Sequence, residues 1–268
     1  MSGHTRKTRR IGLVAGAGGA VILTALVVAA VAFASTASKS PTAIAKTAAA
    51  HKCLVLAGSG DPAFVRNFNP FTSASTPGGA LSKGAIYEPL IVTTVAGGGA
   101  THPWLAQSWK WSNGNKTLTL NLRTNAKWSD GQKLTAADVA YTLTAGRQNS
   151  LLDQIGFTHP DSNVVSVKAK GPYQVVINLK TVDSAFIPVT LNGVIVIPKH
   201  IWSKVKNPNT FTDDRPVGSG PFDQVQSFTS QAYTLGKNPH YWMAGAPKIG
   251  CVQYIQAASN DAALADIQ

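Results

Sequence analysis

Six histidines are the first residues in this chain able to carry chemistry: His4, His51, His102, His159, His200 and His240. A metal centre gathers His, Cys and carboxylate ligands, on a helix at spacings of three or four. None of the six has such a neighbour at i+3 or i+4, so each reads as a surface or structural residue. Gly218-Ser219-Gly220 sets a serine between glycines, as a nucleophile elbow does. That elbow needs Gly-x-Ser-x-Gly and a helix directly after it. Here the spacing is tighter, and Pro221 stands where the helix would begin. No lysine follows at the phosphate-cradling position, so the stretch reads as a turn leading into a strand. His159 lies near Asp153 and Asp161, but no nucleophile accompanies them. Without paired carboxylates, a triad or a metal set, the expectation is a protein that is not an enzyme and uses no cofactor.

Charge narrows the class further. The chain of 268 residues carries 24 Lys and Arg against 12 Asp and Glu, a net charge of +12. Seven of the basic residues precede Cys53 and every acidic one follows it, which leaves 17 against 12 in the remainder. No basic stripe with interleaved aromatics appears, so nucleic acid is not an expected partner. Arg6, Lys7, Arg9 and Arg10 stand before an uncharged apolar run from Ile11 to Ala34. A basic flank followed by a hydrophobic segment is an export signal. At 24 residues the run is long enough to span a bilayer, yet its more apolar half, Val21 to Ala34, is signal-sized and ends in Ala32-Phe33-Ala34. Residues 1–34 are therefore expected to be a signal peptide or a membrane anchor (transmembrane helix). Residues 35–52, rich in Ala, Ser, Thr and Lys, read as a flexible tether.

Beyond the tether, short β-rich runs alternate with isolated helices. Thr117-Leu118-Thr119-Leu120-Asn121-Leu122 alternates at period two, as a half-buried strand does, between turn signals at Asn113-Gly114 and Asp130-Gly131. Thr135, with Asp138 three residues on, marks the start of a helix running from Ala136 to Gly146. Val164 to Leu179 reads as a hairpin turning at Lys170-Gly171-Pro172. Val194-Ile195-Val196-Ile197 has no polar face and predicts a buried strand. Phe222 onward and Tyr233–Lys237 predict two more strands. The cysteines sit in strand-like runs, Cys53-Leu54-Val55-Leu56 and Cys251-Val252-Gln253-Tyr254-Ile255, and after export would be either bonded or two buried thiols. Trp109, Trp111, Trp128 and Trp242 are expected in packing roles. The sum is α+β with mixed sheets.

A series of short motifs adds to this. In order they are Asn69-Pro70, Tyr87-Glu88-Pro89-Leu90, and Pro103-Trp104-Leu105-Ala106-Gln107-Ser108-Trp109. Leu122-Arg123 through Trp128-Ser129-Asp130-Gly131 and Leu134-Thr135-Ala136-Ala137-Asp138-Val139 come next. Ile197-Pro198-Lys199-His200-Ile201, Pro216-Val217-Gly218-Ser219-Gly220-Pro221-Phe222 and Asn238-Pro239-His240-Tyr241-Trp242 complete it. The series resembles the bacterial ABC-transporter extracytoplasmic solute-binding proteins of family 5, the peptide and nickel group, from about residue 54 onward.

The resemblance implies a periplasmic-binding-protein type II-like fold in which two lobes close on a ligand. Lobe I would comprise residues 53–75 and 190–268, with an inserted subdomain at 76–189 and the second lobe missing beyond Gln268. It implies that the strands of Cys53 and Cys251 share a lobe, which makes a disulfide between them plausible. It also implies that the loop after Asn69-Pro70 borders the ligand, so Thr72, Ser73, Ala74, Ser75 and Thr76 are the expected ligand-binding residues. Their short hydroxyls and accessible backbone suit a peptide main chain. The implied function is that of a periplasmic or cell-surface receptor, a monomer binding an oligopeptide or dipeptide and delivering it to the permease subunits of an ABC importer. Nickel, haem and oligosaccharides remain open as ligands. The alternative is a truncated lobe fragment at the membrane that binds no solute. A lipid-modified cysteine is not indicated, because Cys53 lies far from the apolar run.

Overall fold

Among the described residues, eight of ten strands gather into two four-stranded sheets, and most of the alternating stretches of the sequence supply them. The computed structural model describes residues 53–59, 63–72, 82–94 and 99–257, all within one compact unit, Lys39–Gln268. The expected leader and tether, the loop positions Ser73–Thr76 and residues 258–268 lie outside the described residues. Among the described residues, no helix is long and apolar enough to cross a membrane.

The chain opens with β1 (Cys53–Ser59), and then β2 (Ile91–Thr93) pairs antiparallel with β3 (Thr101–Pro103). Next come β4 (Ala106–Ser112), β5 (Thr117–Leu122), the helix α1 (Ala136–Thr144), β6 (Val164–Lys170) and β7 (Gln174–Leu179). The short helix α2 (Lys199–Trp202) precedes β8 (Phe222–Phe228), β9 (Ala232–Lys237) and β10 (Cys251–Ala257). One sheet has the order β1-β10-β9-β8 and the other β4-β5-β7-β6. In the first sheet β1 is parallel to β10, and the remaining pairs are antiparallel. Everything between β1 and β10 in sequence is therefore one long excursion from a single parallel pair. Cys53 is the register partner of Cys251, and the two are joined by a disulfide with Cα atoms 4.4 Å apart.

Period-two burial explains the second sheet. Leu118, Leu120 and Leu122 of β5 and Val175, Ile177 and Leu179 of β7 point into one core, which Trp128, Leu134 and Val139 complete. A second core holds Phe64, Phe68, Tyr87, Trp202, Tyr233, Leu235 and Val252 beside the first sheet. Burying this much apolar surface, at about 25 cal/mol per Å², is the main favourable contribution to folding. At the start of α1, Asp138 reaches back and accepts from the Thr135 amide and hydroxyl, each at 2.9 Å. Its other oxygen accepts from the Lys199 amide at 3.0 Å, so one carboxylate ties α1 to α2.

The apolar run Val194–Ile197 corrects an expectation. It is buried and extended but belongs to neither sheet; its one isolated bridge, Ile195 with Pro89, is closed by the Leu90 amide donating to Val194 O (3.3 Å) and the Val196 amide donating to Glu88 O (2.9 Å). Its alternate residues face different cores, Val194 and Val196 one, Ile195 and Ile197 the other. That double burial is why the run has no polar face. Backbone groups of Val194 and Val196 pair with other backbone, and side chains serve the two isoleucines where a second ladder would have done so. Gln154 clasps both polar groups of Ile195 (2.9 and 3.0 Å), and Thr142 does the same for Ile197 (3.4 and 3.1 Å).

Candidate functional site

Because β1 and β10 run parallel, their carboxyl ends, Ser59 and Ala257, emerge at the same edge of the first sheet. In sheets with parallel strands, that edge is where ligands are met. The turn between β8 and β9 lies there too, since the Gln256 amide donates to Gln231 O and the Phe64 amide to Ser230 O, both at 2.8 Å. Residues 63–72 run along the edge and are held by asparagines. Asn67 Oδ1 accepts from the Asn69 amide (3.0 Å), and Asn69 Oδ1 accepts from the Phe71 amide (2.9 Å). These are two successive Asx turns, which the Asn-x-Asn spacing favours. Fully buried Asn69 also donates to Pro208 O and Phe211 O, each at 2.8 Å, pinning the segment to a remote loop. Phe71 sits edge-on to Trp202 at 5.3 Å.

Thr72, half-buried, stands at the end of this braced segment, and its hydroxyl accepts from Asn67 Nδ2 at 3.4 Å. Of the expected ligand-binding residues it is the one described; Ser73, Ala74, Ser75 and Thr76 lie outside the described residues. The loop that holds Asn69 also borders an open cleft of about 590 Å³, lined by His200, Lys204, Lys206 and Phe211 among others. No carboxylate is among the residues that line it.

The residues able to do chemistry are placed in architectural roles. Ser219 is fully buried, and its flanking glycines lie against the backbone of Ala85 and Ile86. A Cβ on Gly218 would come within 1.9 Å of Ile86 O, and one on Gly220 within 2.2 Å of Ala85 O. Close backbone approach is thus what these glycines allow, together with the Gly220 amide donating to Ile86 O at 2.8 Å. Gly131 does need a left-handed conformation (φ +88°), and a Cβ there would meet His240 Nε2 at 3.3 Å. His200 meets Asp130 at 2.8 Å across the fold, a pairing that spacing along the chain does not reveal. His159 and Asp161 lie 3.8 Å apart, both exposed. Among the described residues no three His, Cys, Asp or Glu converge as a metal site.

Four of the sequence motifs meet at Glu88. Its Oε1 accepts from Trp104 Nε1 (2.9 Å) and the Tyr241 hydroxyl (3.0 Å), and its Oε2 accepts from Trp242 Nε1 (2.8 Å). Arg123 lies over the Trp242 ring at 4.2 Å and donates to Trp104 O. Burial pushes the Glu88 carboxyl up to about 7, although its indole and phenol donors, which favour the ionised form, oppose the rise. Nearby, the Tyr87 hydroxyl donates to buried Asp213, whose carboxyl desolvation pushes up to about 6. Burial likewise raises Asp223. These acids are buried, and their hydrogen bonds run to residues distant in the chain, so they hold segments together. Their joint role was not legible in the sequence, because the partners come from positions far apart in the chain.

Comparison with known proteins gives a consistent picture. Residues 100–268 match the family model described as bacterial extracellular solute-binding proteins, family 5 Middle. The oligopeptide-binding protein AppA of Bacillus subtilis is 31% identical over 168 residues, 61% of this chain and 30% of that protein. A nickel-binding periplasmic protein of Escherichia coli is 29% identical over 170 residues, 62% of this chain and 31% of the relative. The chain spans about a third of the length of these curated relatives. A crystal structure of a Thermotoga maritima periplasmic oligopeptide-binding protein, bound to mannohexaose, superposes with a TM-score of 0.69 at 25% identity. It covers 80% of this chain and 39% of that one.

Proposed function

The chain belongs to the bacterial extracellular solute-binding proteins of family 5, and from that premise we propose that it captures a solute for an ABC importer. The observation that carries the reading is the family match over residues 100–268. The mixed α+β fold is part of a periplasmic-binding-protein type II architecture, and family members are transport receptors that do not transform what they bind. Our reading of the ligand is an oligopeptide or dipeptide, met at the carboxyl edge of β1 and β10. The braced segment ending at Thr72 supports that placement, since the hydroxyl-rich sequence that continues from it can hydrogen-bond a peptide main chain. The relatives' names keep nickel and oligosaccharide in view as ligand classes. We read the first sheet as the centre of lobe I and the β4–β7 sheet as its inserted subdomain, with residues 191–197 shared between their cores.

The reading also includes export by the basic and apolar leader and delivery of ligand to a membrane permease by a monomer. Isothermal titration of the full chain with defined di- to pentapeptide mixtures tests the binding step. Saturable heat with intact peptide recovered is expected. Heat from nickel or oligosaccharide alone would reassign the ligand, and peptide cleavage would overturn the receptor reading.

A further inference from the structure

The second sheet presents its outer face as a grid of three rows across four strands, set by the pairing register. One row carries Thr117, Asn178 and Ser166, bonded in series: the Thr117 hydroxyl donates to Asn178 Oδ1, and Asn178 Nδ2 donates to Ser166 Oγ, each at 2.9 Å. Another row carries Gln174, Asn121 and Ser108. Gln174 Nε2 donates to Asn121 Oδ1 at 2.9 Å, and Asn121 Nδ2 donates to Ser108 Oγ at 3.0 Å. These bonds fix the orientation of each amide, and by its inventory each asparagine has one more N–H and one more lone pair to offer. Lys110 on one outer strand and Lys168 and Lys170 on the other flank the ladders, all exposed.

No carboxylate interrupts this face. The sequence has no Asp or Glu between Glu88 and Asp130, and none between Asp161 and Asp183. The lysines look thinly spread along the chain, yet the register brings Lys110 and Lys168 into one row, three strand spacings or about 14 Å apart. Val176 is the one apolar side chain within the three rows, exposed Val165 stands alone at the bulge of β6, and the tryptophans of β4 pack toward the core, so the face offers no platform for stacked bases and only isolated valines to a bilayer. A flat, preorganised array of amides and hydroxyls between cations matches a polymer that presents hydroxyls and negative charge together. The geometry points to the outer face of the β4–β7 sheet as a docking surface for an anionic polysaccharide.

The test uses the full chain and polygalacturonate, with neutral dextran, anionic phospholipid vesicles and a single-stranded oligonucleotide as comparison probes. Lys110→Glu, Lys168→Glu and Lys170→Glu combined are expected to weaken polygalacturonate binding about tenfold or more. The same charge change at Lys199, Lys204 and Lys206 is expected to cost much less. Asn121→Ala with Asn178→Ala keeps the charge and is expected to weaken polygalacturonate binding severalfold, with an unchanged circular dichroism spectrum. Equal losses from the two lysine triples would show that net charge alone is read and would overturn the proposal. Equal binding of dextran, or tighter binding of vesicles or oligonucleotide through the same three lysines, would also overturn it.

Discussion

Glu88 gives a sharp test of how this fold is held. Its carboxyl is almost wholly buried, no cation pairs with it among the described ion pairs, and its folded value stands at about 7 against an ordinary 4.5. A folded value above the unfolded one means that the folded state holds a proton the unfolded state has released. Its stabilising contribution is complete below about 4.5 and is lost as pH rises through 7, an effect on the order of 3 kcal/mol. Glu88→Gln removes that titration. It retains an acceptor for Trp104 and Tyr241 but sets an amide nitrogen against Trp242 Nε1, at a cost of about 1–3 kcal/mol independent of pH. Urea denaturation of both proteins between pH 5 and pH 8 reads the difference. The variant is expected to be the less stable at pH 5, with the gap narrowing by pH 8. Asp213 is present in both proteins, so its own pH dependence cancels. Parallel stability curves would refute the reasoning and place the Glu88 proton outside the folding equilibrium.

Other expectations follow from individual contacts. Gly220→Ala drives a methyl against Ala85 O and is expected to cost about 3 kcal/mol or more, seen as a lowered urea midpoint or loss of soluble protein. Asn69→Ala leaves Pro208 O and Phe211 O without their donor, at about 2–4 kcal/mol, and should speed amide exchange over residues 67–72. Cys53→Ser with Cys251→Ser opens a bridge between residues 198 apart in sequence. Chain entropy then predicts a loss of about 5 kcal/mol, read as a guanidinium midpoint insensitive to reductant, whereas that of the parent falls on reduction.

The elements most legible in the sequence are those whose information is local. The alternation of Thr117–Leu122 records one buried face, and Thr135 with Asp138 records the start of a helix, so both emerge where expected. Val194–Ile197 misled because burial on two sides erases alternation, while the backbone partners, Gln154 and Thr142, are remote side chains that no local pattern exposes. The same holds for Glu88, Trp104 and Trp242, whose motifs can be read singly but whose convergence is a property of the packing. The bend at Gly218-Ser219-Gly220 leading into β8 was legible, whereas the room its glycines leave for the Ala85 and Ile86 backbone was not. The lysine face needed the strand register before Lys110 and Lys168 could be seen as neighbours. At the candidate ligand edge, Asn69-Pro70 was legible as one of the short motifs, whereas the bonds from Asn69 to Pro208 O and Phe211 O were not.

Amide hydrogen exchange of the full chain, with and without a saturating peptide mixture, tests most directly whether this is a capture surface with an architectural core. Slowed exchange confined to residues 63–72 and the turn at 229–231, with every peptide recovered uncut, is the predicted result. Protection centred elsewhere on the molecule, or peptides returned as fragments, would contradict it.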